Sequence, residues 1–163
     1  MSRIINNTVL SNFAFADKLD LLRAIFQKAY LTSKVFNEVK DGIRDGYRFQ
    51  ERTKKMVEER EWLILIEPNP RELELYHQLL LRLDAGEASC LAIAEGRGWL
   101  FLTDDLNARK AAAQLDVRMS GTIGVLRIGV EKELISIEEG NGLLRIMIDN
   151  GYFSPISDLS LLL

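Results

Sequence analysis

The chain holds one cysteine and one histidine among 163 residues, and each scarcity closes off a class of chemistry. With Cys90 alone no intramolecular disulfide can form, and its neighbours Ala88, Leu91, Ile93 and Ala94 mark it as a buried structural thiol. With His77 alone, set between Tyr76 and Gln78 on an amphipathic helix, no second His or Cys is at hand to share zinc. General-base work is therefore not assigned to it. No uncharged run is long enough to cross a bilayer, so no membrane-spanning helix is expected. Met1-Ser2-Arg3 leads straight into a strand with no signal-peptide apolar region, and the expected location is cytoplasmic. A charge excess is missing as well: 21 basic against 24 acidic residues leave a net −3, too little of either sign for an overall electrostatic grip on nucleic acid. Any such contact has to be a local patch. Internal repeats, Gly/Ser-rich stretches and low-complexity segments are absent too.

What is present is a hydrophobic content of 47%, enough for one real core and not for two. A single domain is expected over 1–163, with a core at 1–122 and a helical extension at 123–163. Ile4 to Thr8 reads as a strand, and Asp17 as the cap of a helix with Leu19, Leu22, Ile25 and Phe26 on one face. Ala29 to Thr32 reads as a second strand, followed by a helix that Ser33 caps and that turns Val35, Phe36, Val39 and Ile43 inward. Residues 44–60 are dense in charge and predict an exposed helix or pair of short helices. Trp62 to Ile66 is an apolar strand, after which Asn69 caps a helix, with Pro70 at its first position, running through Leu83. Asp84-Ala85-Gly86 breaks that helix, and the next extends to Arg97, where Gly98 stops it. Trp99 to Thr103 is a buried type of strand, Asp105 caps the helix Leu106 to Leu115, and Val117 to Ser120 is a last short strand. Helices at 122–133 and 137–150 follow. This alternation predicts an α/β fold with a central parallel sheet of four to five strands in a three-layer α/β/α sandwich, closed by C-terminal helices.

Right-handed crossovers bring the carboxyl ends of parallel strands to one edge of the sheet. That edge collects Asn6 and Thr8, Glu38, Glu87, and Thr103 with Asp104 and Asp105. Asp and Glu oxygens without a His or Cys cluster suit Mg2+ or Mn2+ rather than zinc, and such ions activate water and neutralise charge on a phosphoryl group. Phosphodiester cleavage is the natural reaction. Paired aspartates at a strand end also occur in phospho-acceptor receiver domains, but the order of acids along this chain does not fit that arrangement.

At these residues the chain resembles the PIN-domain ribonucleases, in particular the prokaryotic branch found beside small antitoxin-like proteins. The resemblance runs nearly end to end. It is carried by Ile4 to Phe13, by Glu38 after Thr32-Ser33, by Asp84 to Ala88, by Leu102 to Asp105 with Ala108-Arg109, and by Ser120 to Leu126. It implies a metal-dependent endoribonuclease, with Mg2+ or Mn2+ as cofactor and RNA, an antitoxin protein and a second copy of the chain as partners. Glu38, Glu87 and Asp105 become the catalytic acids; Asn6, Glu38, Glu87, Asp104 and Asp105 become the metal ligands. Asn6 stands where the family carries its first acid. An amide oxygen still ligates a hard cation but brings no charge, and one unit charge at roughly 4 Å is worth about 4 kcal/mol before desolvation at an effective dielectric near 20. A catalytically silent PIN-like domain that binds RNA or protein is the alternative.

Each residue also has a plainer reading. Asp105 serves as a helix cap, Glu87 complements a helix dipole, Glu38 is a solvated helix residue, and Asp84 lies in a loop. Thr8, Thr103 and Arg109 are the candidate substrate contacts: the threonines orient carboxylates or water, and Arg109, like Lys110, meets a phosphate or stays a surface charge. The Arg44 to Lys55 segment, with Tyr47 and Phe49 interleaved, either clamps RNA or forms a solvated face. The closing run Tyr152 to Leu163 is too apolar to float free and is expected to pack on its own domain.

Overall fold

Short apolar runs separated by amphipathic segments call for a sheet covered by helices. The computed structural model, which describes residues 1–163, has that form. Five strands, β1 (Arg3–Ile5), β2 (Ala29–Thr32), β3 (Leu63–Ile66), β4 (Leu100–Leu102) and β5 (Met119–Ser120), pair all in parallel in the order β3-β2-β1-β4-β5. Nine α-helices build the outer layers of the α/β/α sandwich: α1 (Asn7–Phe15), α2 (Leu19–Phe26), α3 (Ser33–Arg44), α4 (Gln50–Glu59), α5 (Pro70–Leu79), α6 (Ala85–Arg97), α7 (Leu106–Gln114), α8 (Thr122–Glu131) and α9 (Ile137–Asp149). A 3-10 turn, Leu159–Leu162, closes the chain.

One buried apolar cluster joins β1 and β4 to α6 and takes in Val125, Leu126, Leu143, Leu144, Met147 and Leu159 from the C-terminal third. In α6 every residue from Gly86 to Ala94 is buried, so the helix meets protein all round, and its alanines, Ser89 and Cys90 allow that close approach. Cys90 lies fully inside, as its neighbours foretold. The closing segment divides: Leu159 is fully buried, whereas Phe153, Leu161 and Leu163 are exposed.

Four local expectations need correction. The first strand ends at Ile5, and Asn7 to Phe15 forms a helix; Val9, Leu10, Phe13 and Ala14 have the spacing of a buried helical stripe, which the polar pair before Thr8 disguised as a strand tail. Asp17 caps nothing and occupies a left-handed turn between α1 and α2 (φ 56°). Thr32 rather than Ser33 caps α3, its hydroxyl accepting from the Val35 amide at 3.2 Å. The helix begun at Pro70 stops at Leu79, four residues short.

The chain leaves β1 outward to β2 and β3, then returns to β4 and β5 on the other side, so its direction of winding reverses between β1 and β4. The carboxyl ends of two strands flanking such a reversal open a crevice. Ile5 and Leu102 pair in register there, which sets Asn6 and Thr103 side by side.

Candidate metal centre

Asn6 is the N-cap of α1, and its side chain is engaged at both ends. Its Oδ1 accepts from the Asn7 amide at 2.9 Å, and its Nδ2 donates to the Thr103 hydroxyl at 3.0 Å. Thr103 is fully buried, and the same hydroxyl accepts from the Asp105 amide at 3.2 Å. It therefore acts on its neighbours and not on a substrate, locking the turn that aims Asp105. Thr8, in the first turn of α1, accepts from the Asp104 amide at 3.0 Å. Three hydroxyl or amide side chains thus pin the β4 end to the β1 end.

Four carboxylates gather at the start of α6. Asp84 and Glu87 form a capping box: Asp84 Oδ1 accepts from the Glu87 amide at 2.8 Å, and Glu87 Oε2 accepts from the Asp84 amide at 3.2 Å. Asp105 caps α7 through Oδ2, which accepts from the Ala108 amide at 2.8 Å. The capping reading of Asp105 is thus correct as structure, and Glu87, read as a helix-dipole partner, completes a capping box; yet each engages one oxygen of two. The Glu38 carboxyl reaches over from α3 to the Gly86 amide, and a Cβ at Gly86 would collide with it. Glycine is needed there for room, since its backbone is ordinary helix.

Like charge collects because the four belong to elements that converge on one edge. Burial pushes Glu38 up to about 7, and the Asp84 charge adds to the rise against the Gly86 amide. Burial also raises Glu87, to about 8, helped by the charges of Asp84 and Asp105. The unfolded chain loses these protons near the ordinary value of 4.5, so over this window it binds fewer protons than the folded chain does. The stabilisation is complete below that value and is lost as pH rises through 7 and 8. Without divalent cations the melting temperature is expected to fall by several degrees from about pH 5.5 to about pH 8.5, at about 2–4 °C for each kcal/mol lost. A melting temperature that climbs across that window contradicts the raised carboxyls.

Asp104 faces elsewhere. Its Oδ1 accepts from the Thr122 amide at 2.8 Å, and its Oδ2 accepts from the Thr122 hydroxyl at 2.5 Å and from Asn12 Nδ2 at 3.1 Å. Burial raises its carboxyl while Thr122, Arg109 and Asn12 pull the other way. Both oxygens, expected on a metal, hold α8 and α1 to the end of β4. Arg109, expected on a phosphate, donates through Nη1 to the Thr103 carbonyl at 3.0 Å and sits beside Asp104. The sequence reads Asp84 as a loop residue and gives Asn12, Thr122 and Gly86 no role in the site; only the Asp84-x-x-Glu87 spacing of a capping box offered a signal.

The family model DUF3368, a PIN domain, matches residues 2–162. The chain belongs to the PIN-domain family. No curated protein matches it. PIN domains have a nuclease-like fold, generally use divalent metal ions and commonly bind RNA. In this PIN domain the donor set is chemically suited to a hard cation: four carboxylates, two of them raised above the usual range by burial and by mutual repulsion. No three Asp, Glu, His or Cys side chains are already drawn into ligand geometry. In the first turn of α1, Oδ1 of Asn7 is enclosed without a hydrogen-bond partner. No helix is long and apolar enough to cross a membrane.

Proposed function

We propose that this PIN domain is a ribonuclease that holds Mg2+ or Mn2+ among Glu38, Asp84, Glu87 and Asp105, with Asn6 as a neutral neighbour. The observation that carries this reading is the placement of the Glu87 carboxyl, buried and facing both Asp84 and Asp105. Carboxylates so arranged repel one another, and a divalent ion relieves that repulsion. Bound there, the cation supplies an activated water and neutralises charge on the phosphodiester. The protein's part is to orient and to exclude. The Asp84–Glu87 capping box fixes two carboxylates on α6, the Thr103 hydroxyl fixes the Asp105 turn, and the Gly86 amide steadies Glu38. Asp104 supports that frame from behind and Arg109 braces the Thr103 carbonyl.

Purified protein with Mn2+ is expected to cut single-stranded RNA, and Asp105→Asn to lower the rate at least about 100-fold. Asn6→Asp restores the missing charge and is expected to tighten Mn2+ binding about tenfold or more. Unchanged cutting in EDTA or by Asp105→Asn would sink the reading. The engagement of Asn6 at both ends favours one alternative, a domain silenced at this position; RNA left whole by the native chain and cut by Asn6→Asp establishes it. Action as the toxin of a toxin–antitoxin pair, as a homodimer, belongs to the same proposal. Growth arrest on expression and a dimer mass in solution are the expected results.

A further inference from the structure

The charged segment that follows Glu38 divides into parts with different tasks. Arg52 is anchored, donating to the Ala14 carbonyl at 2.7 Å and pairing with Asp17, and Phe49 packs edge-on against Phe15 at 5.3 Å. Lys55 pairs with Glu59. Arg52 and Phe49 hold α4 to the domain, while the Lys55–Glu59 pair stays within the helix. Between α3 and α4 lies an open cleft of about 610 Å3 lined by Asn37, Lys40, Asp41, Ile43, Arg44 and Lys54. Three of the six are cations and one is an acid, and that acid is paired with Arg44 on its own helix. Lys54 and Lys40 have no carboxylate partner; Lys40 lies over the Phe36 ring at 4.8 Å. The seam beneath is polar too: Gln50 packs against Gly42, and Gln50 Oε1 and the Thr53 hydroxyl are buried without partners. At the turn joining the helices, Tyr47 is 58% exposed.

In a chain of net charge −3, a cleft with this balance is a local exception to the surrounding charge. Its position adds to the case. Glu38, which reaches the start of α6, and the cations Lys40 and Arg44 belong to one helix, about 3–9 Å apart along its axis at 1.5 Å per residue. At about 100° per residue Lys40 and Arg44 stand on a different face of α3 from Glu38, so a strand leaving the crevice past Glu38 crosses over the helix before its next phosphates meet them. An exposed tyrosine at the cleft's end offers a base a face on which to stack.

The geometry points to the α3–α4 cleft as the track for the sugar–phosphate backbone of single-stranded RNA, with Lys40, Lys54 and Arg44 meeting phosphates and Tyr47 stacking a base. This rests on the nuclease reading for its direction, since it names the surface that delivers RNA to the Glu38 side of the site.

The test measures binding apart from cleavage. A fluorescein-labelled single-stranded oligoribonucleotide is titrated in EDTA with the full chain and read by anisotropy. The double variant Lys40→Glu, Lys54→Glu is expected to weaken binding at least about tenfold and to lower the log–log salt slope by about 1.4, two phosphates at about 0.7 each. Tyr47→Ala is expected to weaken it about fivefold or more, with Tyr47→Phe restoring it. The control Arg127→Glu, on α8 and paired with Glu131, is expected to leave binding unchanged. An unaltered affinity and salt slope in the double variant, with melting temperature retained, overturns the proposal. Equal loss in the Arg127 control, or binding of polyglutamate in place of RNA, does so as well. Intact binding without cleavage counts against the nuclease reading and leaves the cleft standing. With cleavage active, the cleft variants are expected to raise KM and leave kcat in place.

Discussion

Asp104→Ala is expected to lower the unfolding free energy by about 3–5 kcal/mol, among the largest single-residue effects in the chain. The half-buried carboxylate satisfies the Thr122 amide, the Thr122 hydroxyl and the Asn12 amide group, and Thr122 is fully buried. Removing it strands those donors, each at about 1–3 kcal/mol, and leaves Arg109 without its negative neighbour. The α8 N-terminus then loses its tie to β4, because Gly121 offers no side-chain cap of its own. Asp104→Asn keeps an acceptor for Thr122 and is expected to lose less than half as much. Urea unfolding checks both, and a loss under about 1 kcal/mol for Asp104→Ala contradicts the structural role.

Glu87→Gln is expected to move stability and activity in opposite directions. The amide oxygen still accepts from the Asp84 backbone, so the capping box survives, while the charge facing Asp84 and Asp105 is gone. At pH 8 the variant without metal is expected to melt a few degrees higher than the native protein, at about 2–4 °C per kcal/mol recovered. Mn2+ affinity and RNA cleavage are expected to fall about 100-fold or more. A purely structural Glu87 gives the reverse pattern, with lower melting and unchanged cleavage. Differential scanning fluorimetry with and without Mn2+, beside a cleavage assay, separates the two.

The alternation of strands and helices was legible because apolar runs of three to five residues sit between capped amphipathic segments, and those two patterns survive any tertiary context. The α1 helix was not, since only Ile4 and Ile5 precede it and the polar pair Asn6-Asn7 hides the strand-to-helix switch. In the site, Asp105 could be placed from its position as a helix cap, and Glu87 from its place in the first turn of a helix and from the family resemblance. Asp84 could not, because Asp84-Ala85-Gly86 reads equally well as the break after one helix and the start of the next. Which of Asp104 and Asp105 faces the crevice depends on the turn that Thr103 locks, and on Asn12, 92 residues away from Asp104 in sequence. Contacts of that range leave no local mark. Glu38 taken alone reads as a solvated helix residue and was placed only by the acids it joins, since the partner that fixes it is the Gly86 backbone across the fold.

Calorimetric titration of Mn2+ at pH 7, repeated in buffers of different ionisation enthalpy, tests the carboxylate cluster most directly. Metal ligands must be deprotonated, so a cation settling among carboxyls raised to about 7 and about 8 has to displace protons. Saturable binding in the millimolar range or tighter, with about one proton released per ion and both lost in Glu87→Gln, is the expected result. No heat from either the native chain or Asn6→Asp up to millimolar Mn2+, or equal binding by Glu87→Gln, would contradict a metal centre at these residues.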